Sequence, residues 1–131
     1  MGATPSPDRE PATVVREYYD ALRNGEPLAP YFAADETTVK FGVSEMLTGG
    51  DTVREGLRDQ TATTTAWHVD SRNLVVDRTG DAAWFADDVF LAWTDSDRGT
   101  RFEFDTRWSG TLVADAGWQF VGMHVSTAEA F

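Results

Sequence analysis

Three side chains in the second half of the chain have the types that chemistry needs: His124, an imidazole able to give or take a proton, and Asp88 and Arg107, which could flank it. His124 closes the run Trp118-Gln119-Phe120-Val121-Gly122-Met123-His124-Val125-Ser126. Strand alternation puts Trp118, Phe120, Gly122, His124 and Ser126 on one face, and Gln119, Val121, Met123 and Val125 on the other. An aromatic pair followed by an imidazole and a hydroxyl reads as the wall of a pocket.

The preceding segments must position that strand. A short turn at Asp115-Ala116 pairs Val113 with Trp118, Thr111 with Phe120, Ser109 with Gly122 and Arg107 with His124. A loop near Asp97-Arg98 pairs Trp93 with Phe102, Leu91 with Phe104 and Asp88 with Arg107. On this register Asp88, Arg107 and His124 form a polar row, flanked by Trp84, Phe90, Ser109, Trp118 and Phe120. Two uses of the row stay open. His124 and Asp88 could form an acid–base pair with Arg107 holding an oxyanion. Alternatively, Asp88 pairs with Arg107, and His124 satisfies a neighbour in a half-buried network. The opposite face carries Leu91, Trp93, Phe102, Phe104 and Trp108, joined by Val121, Met123 and Val125. It is too apolar to face water. With helices covering the polar row, this second face predicts a homodimer, sheet against sheet.

Upstream, Val14, Val15, Tyr18, Tyr19 and Leu22 recur at helical spacing from Pro11 until Gly25 stops them. Residues 28–33 read as a helical turn and 37–43 as a strand. Gly49-Gly50 breaks the chain, and Asp51 is positioned to cap a second helix with Val53, Leu57 and Ala62 inward. Four strand segments follow, at about 67–77, 82–94, 100–113 and 118–126. Helices first and an antiparallel meander after them make the fold class α+β. Residues 1–9, rich in proline, are expected to be a disordered lead, and residues 10–131 a single domain.

Composition removes several classes of function. The chain of 131 residues has no cysteine, which excludes disulfides and thiolate chemistry. Two widely separated histidines do not make a metal-ligand set, and no metal or cofactor is expected. A net charge of -11 argues against nucleic acid and anionic membranes as partners. No apolar run is long enough to span a bilayer, and nothing resembles a signal peptide, so a cytoplasmic location is expected. Lys40 is the only lysine beside ten arginines, and aspartate exceeds glutamate. That balance fits a salt-adapted cytoplasm or an ordinary acidic protein.

Several segments together resemble the SnoaL-like family of the nuclear-transport-factor-2-like superfamily. They are Phe41-Gly42-Val43-Ser44-Glu45 with Gly50-Asp51, Gly80-Asp81-Ala82-Ala83-Trp84-Phe85, Arg107-Trp108-Ser109, and Trp118…Met123-His124-Val125-Ser126. The terminal piece is similar to a branch ending in Trp-x-Ile-Val-x-Met-His-x-Ser. The resemblance implies a cone: a strongly bent antiparallel sheet wrapped around N-terminal helices, with a pocket at its open end. It implies that Tyr18 or Tyr19 lines the pocket, and Trp67 would add ring surface there. Isomerase members place a carboxylate after the first strand, where this chain has Phe41. The leading expectation is therefore a dimer of unassigned biochemistry that binds a small, partly apolar ligand. An isomerase- or cyclase-type enzyme using His124, Asp88 and Arg107, and a pure dimerisation module, are the alternatives.

Overall fold

The computed structural model describes residues 10–115 and 117–129. The expected disordered lead at 1–9 lies outside them. Helix α1 (Pro11–Arg23) begins on a proline, which is pre-set for the first helical turn. Its stripe Val14, Val15, Tyr18, Tyr19 and Leu22 is buried throughout. A 3-10 turn (Ala29–Tyr31) leads to β1 (Val39–Phe41), β2 (Met46–Thr48) and helix α2 (Gly50–Thr63). Then come β3 (Thr64–Ser71), β4 (Val75–Thr79), β5 (Ala82–Asp95), β6 (Thr100–Ala114) and β7 (Trp118–Ser126).

The seven strands make one sheet in the order β2-β1-β7-β6-β5-β3, with β4 also pairing with β5. Two helices against one large sheet give the α+β class. The sheet is mixed, however, because β1 runs parallel to β7 while the other pairings are antiparallel. The expected strand at 67–77 divides at Arg72-Asn73-Leu74 into β3 and β4. β2 was not anticipated. Gly49, at φ 94°, stands before α2 in place of the expected Asp51 cap, and Ala62 is exposed. Gly50 then passes so close to Ala34 that a Cβ would lie 2.4 Å from its backbone.

The β5–β6 register is the expected one, with Trp93 opposite Phe102, Leu91 opposite Phe104 and Asp88 opposite Arg107. The β6–β7 register differs. Leu112 pairs with Phe120, but Thr111 pairs with Gly122, so Val121 is an extra residue, a β-bulge. Parity reverses there. Trp118 and Phe120 face inward before the bulge; Met123 and Val125 face inward after it; His124 faces out.

The faces are therefore assigned oppositely to the sequence-based expectation. Leu91, Trp108, Met123 and Val125 are buried in the core under the helices, and Phe104 is buried against Trp93. Trp93 and Phe102 are half-buried beside them, and Val121 sits half-buried at the bulge. Leu91, Trp108, Met123 and Val125 are thus used by this chain's own core and Trp93 by its cavity, which leaves them unavailable to a dimer surface. The physical reason is simple: of two sheet faces, the more apolar one gains most by leaving water.

Candidate functional site

Helices α1 and α2 and strands β1, β2, β3, β5, β6 and β7 leave a cavity of about 450 Å³ inside the cone. That lies within the roughly 300–1,000 Å³ typical of small-molecule sites. Trp67, Trp93 and Trp108 supply its ring surfaces, Tyr18, Lys40 and Glu45 are among its polar groups, and the end of α2 adds Asp59, Gln60 and Thr63. The rings and Lys40 are aimed by local features of the backbone.

Trp67 reaches the cavity through a bulge. The β3–β5 register slips between Thr65 and His68, and Ala66 adopts φ 54°. This turns the Trp67 indole flat against Trp93, with centroids 5.1 Å apart and planes 19° apart. Thr64 Oγ1 accepts from Trp67 Nε1 at 2.9 Å and fixes the ring's rotation. Trp93 in turn stacks on Phe102 at 5.4 Å, which makes an aromatic row across three strands. Trp108 is held by donation from its Nε1 to Thr106 Oγ1 at 2.9 Å.

Lys40 enters from β1. Its register partner is Met123, an inward residue of β7, so its side chain also runs inward and is only 7 % exposed. Glu45, which precedes β2, meets the ammonium in a hydrogen-bonded ion pair. The glutamate side chain is 34 % exposed and belongs to the irregular segment between β1 and β2. The Tyr18 hydroxyl has no hydrogen-bond partner among the described residues. Burial, and then the nearby Glu45 and Tyr31, push its pKa well above the ordinary 10.0, so it stays a neutral donor. Asp59, on α2, adds a further carboxylate at the wall.

A second polar cluster lies away from the cavity. Asp87 is buried on the inner face of β5 and accepts from Tyr19 Oη at 2.9 Å, Ser71 Oγ at 2.6 Å and the Asn73 amide at 3.0 Å. It ties α1 to the break between β3 and β4. Burial, followed by this carboxylate, also raises the pKa of Tyr19. Tyr19 is thus a structural donor to Asp87 and not a pocket residue.

The expected polar row does not assemble in a cavity. Arg107 pairs in register with Ser126, while His124 lies opposite Ser109 and Phe41. All three members, Asp88, Arg107 and His124, are exposed on the outer face of the sheet. Asp88 lies 4.0 Å from the Arg72 guanidinium, and His124 sits edge-on to Phe41 at 6.0 Å. Trp84, 46 % exposed, and Ser109 border a shallow outer groove with His124 and Phe41. Phe90 is half-buried on this face beneath Arg72. Trp118 and Phe120 are fully buried core, with Arg78 lying over the Trp118 ring at 4.9 Å. Of the ten residues expected in the pocket, Tyr18 and Trp67 line this cavity. Lys40 and Glu45 were missed. The available signal was a lone lysine at an inward-capable position of a β-rich segment.

Among the described residues no group of three or more His, Asp or Glu is placed to hold a metal, and no helix is long and apolar enough to cross a membrane.

A bent mixed sheet closing on two helices around an internal cavity is the nuclear-transport-factor-2-like architecture, and solved structures share it. One is a Streptomyces avermitilis protein named as a dehydratase of that family: TM-score 0.78, 16% identity, covering 92% of this chain and 94% of that one. Another is a ketosteroid isomerase-like protein from Erwinia carotovora atroseptica: TM-score 0.72, 14% identity, covering 91% and 94%. A third, from Xanthomonas campestris, is named for the association domain of calcium/calmodulin dependent protein kinase II: TM-score 0.73, 19% identity, covering 100% and 99%. At such identities the likeness shows the fold alone. The family model of the SnoaL-like domain matches residues 12–130, and the chain belongs to that family. No curated protein matches it by sequence.

Proposed function

We propose that this protein binds a small, partly apolar molecule in the cone cavity. The observation that supports the reading is the cavity itself: about 450 Å³, walled by three indoles and reached by one half-buried ion pair. A space of that size lined by rings favours a flat ligand. Titration with naphthalene-sized aromatics should quench tryptophan emission saturably. Leu91→Trp, which fills the cavity from β5, should abolish the effect while leaving the circular dichroism spectrum intact. If wild type shows no saturable change, the reading fails.

One observation favours a second reading, that of an enzyme. Two carboxylates, an ammonium and a neutral phenol share one cavity with the indoles, a set able to move a proton and stabilise a developing oxyanion. Structural relatives named as a dehydratase and as ketosteroid isomerase-like agree with it. Under either reading the outer face of the sheet is the proposed homodimer surface. It exposes Trp84 and Val113 and carries both Asp88 and Arg107, so a twofold copy can match opposite charges.

A further inference from the structure

The Lys40–Glu45 pair has an unusual distribution of burial and of hydrogen bonds. An ammonium carries three donors. Glu45 takes one of them, and no other described residue accepts from Lys40. Among the described residues Lys40 is also the only cation on the cavity wall. The Tyr18 hydroxyl nearby is a further donor without an acceptor. Unspent donors around a buried positive charge call for an oxygen acceptor, preferably a charged one.

Glu45 is the loose member of the pair. Its side chain is one-third exposed and lies in the irregular segment Gly42–Glu45, whereas Lys40 is held inside a strand. A carboxylate that swings out of the cavity is rehydrated at little cost. The buried ammonium has no such escape.

We propose that Glu45 is a built-in stand-in for the ligand's own acid group. The ligand is a planar, ring-bearing monocarboxylate that displaces Glu45 from Lys40, takes the Tyr18 donor as well, and lays its ring along the Trp67–Trp93 stack. This rests on the cavity reading above and deepens it. Two consequences follow. Any change that removes the Glu45 carboxylate from Lys40 strengthens acid binding, because the competitor is gone and a repelling charge with it. Neutral molecules of the same shape are indifferent to that change.

Gly42 offers an independent route to the same state. A Cβ there would lie 2.8 Å from Glu45 Cγ and 2.9 Å from Oε1, so Gly42→Ala forces the glutamate away without altering any charge.

The test uses two probes of equal shape, 2-naphthoate and its neutral counterpart 2-acetonaphthone, titrated by tryptophan fluorescence at low salt. Glu45→Gln and Gly42→Ala should each tighten naphthoate about tenfold and change acetonaphthone less than twofold. Lys40→Met should weaken naphthoate tenfold or more while acetonaphthone still binds, which shows that the cavity is intact. The proposal is overturned if Glu45→Gln leaves naphthoate affinity unchanged or tightens both probes equally. It is also overturned if Lys40→Met binds both probes as wild type does. Failure of both probes to bind wild type and every variant refutes the cavity reading itself, and this proposal with it.

Discussion

Tyr18 and Tyr19 stand next to each other on α1 and are each 1 % exposed, one facing the cavity and the other Asp87. Burial raises both phenol pKa values above the ordinary 10.0. The sign of the linkage is fixed by proton counts. Above pH 10 the unfolded chain loses both phenolic protons while the folded chain keeps them, so stability falls as pH rises. Near-complete burial removes the need to discount for solvent screening. Each group contributes about 1.4 kcal/mol over the whole interval from pH 9 to 11, which brackets the unfolded pKa, and the two together about 2.7 kcal/mol. With a urea m-value near 2 kcal/mol/M, the unfolding midpoint should drop by about 1.4 M over that interval. Tyr19→Phe and Tyr18→Phe should each roughly halve the drop, whatever they do to stability at pH 7. Urea melts at pH 9, 10 and 11, with tyrosinate absorbance at 295 nm on the folded protein, make the measurement. If two or more of the three tyrosines ionise before unfolding, or if neither variant changes the slope, the buried-phenol account is wrong.

Two further outcomes are expected. Asp87→Ala leaves the buried Tyr19 hydroxyl and two half-buried donors, from Ser71 and Asn73, without their acceptor and should cost about 2–4 kcal/mol, against about 1 kcal/mol for Asp87→Asn, whose amide oxygen can still accept from Asn73 and let both hydroxyls turn; chemical denaturation of both variants would show it, and equal losses would refute it. For the proposed dimer, light scattering should give a dimeric mass for wild type and a monomeric one for Trp84→Glu, with the fold retained; a monomeric wild type removes the dimer.

The helices were legible because burial of one stripe leaves a periodic trace: every residue read into the α1 stripe is in the core. The β5–β6 hairpin was legible because an unbroken ladder permits one register. The site was less so, for two local reasons. A bulge adds a residue without changing the apolar pattern around it, and Phe120-Val121-Gly122 gave only one hint. A glycine inside a strand marks a bulge or a close approach, and at Gly110, diagonally opposite on β6, a Cβ would lie 2.5 Å from the Gly122 carbonyl. The second reason is β2, whose three residues Met46–Thr48 are too short to show alternation. Without β2 the Lys40–Glu45 hairpin is invisible. Which face the helices cover was open to reasoning from composition, since the face with Trp93, Phe104 and Trp108 was already the more apolar one.

The bulge at Val121 also determines what the cavity contains. Strand β1 lies parallel to β7, with Val39 beside Gly122, Lys40 beside Met123 and Phe41 beside His124. Register neighbours in a sheet point to the same side. Met123 points inward because Val121 is supernumerary, and so Lys40 points inward with it. In a β7 without that extra residue, His124 and Phe41 would face the cavity, and Lys40 would face solvent with Met123. The motif that makes His124 conspicuous and the charge that reaches the cavity are thus alternatives set by one residue. The chain has the bulge, which places the ammonium of its only lysine inside the cone and its second histidine outside.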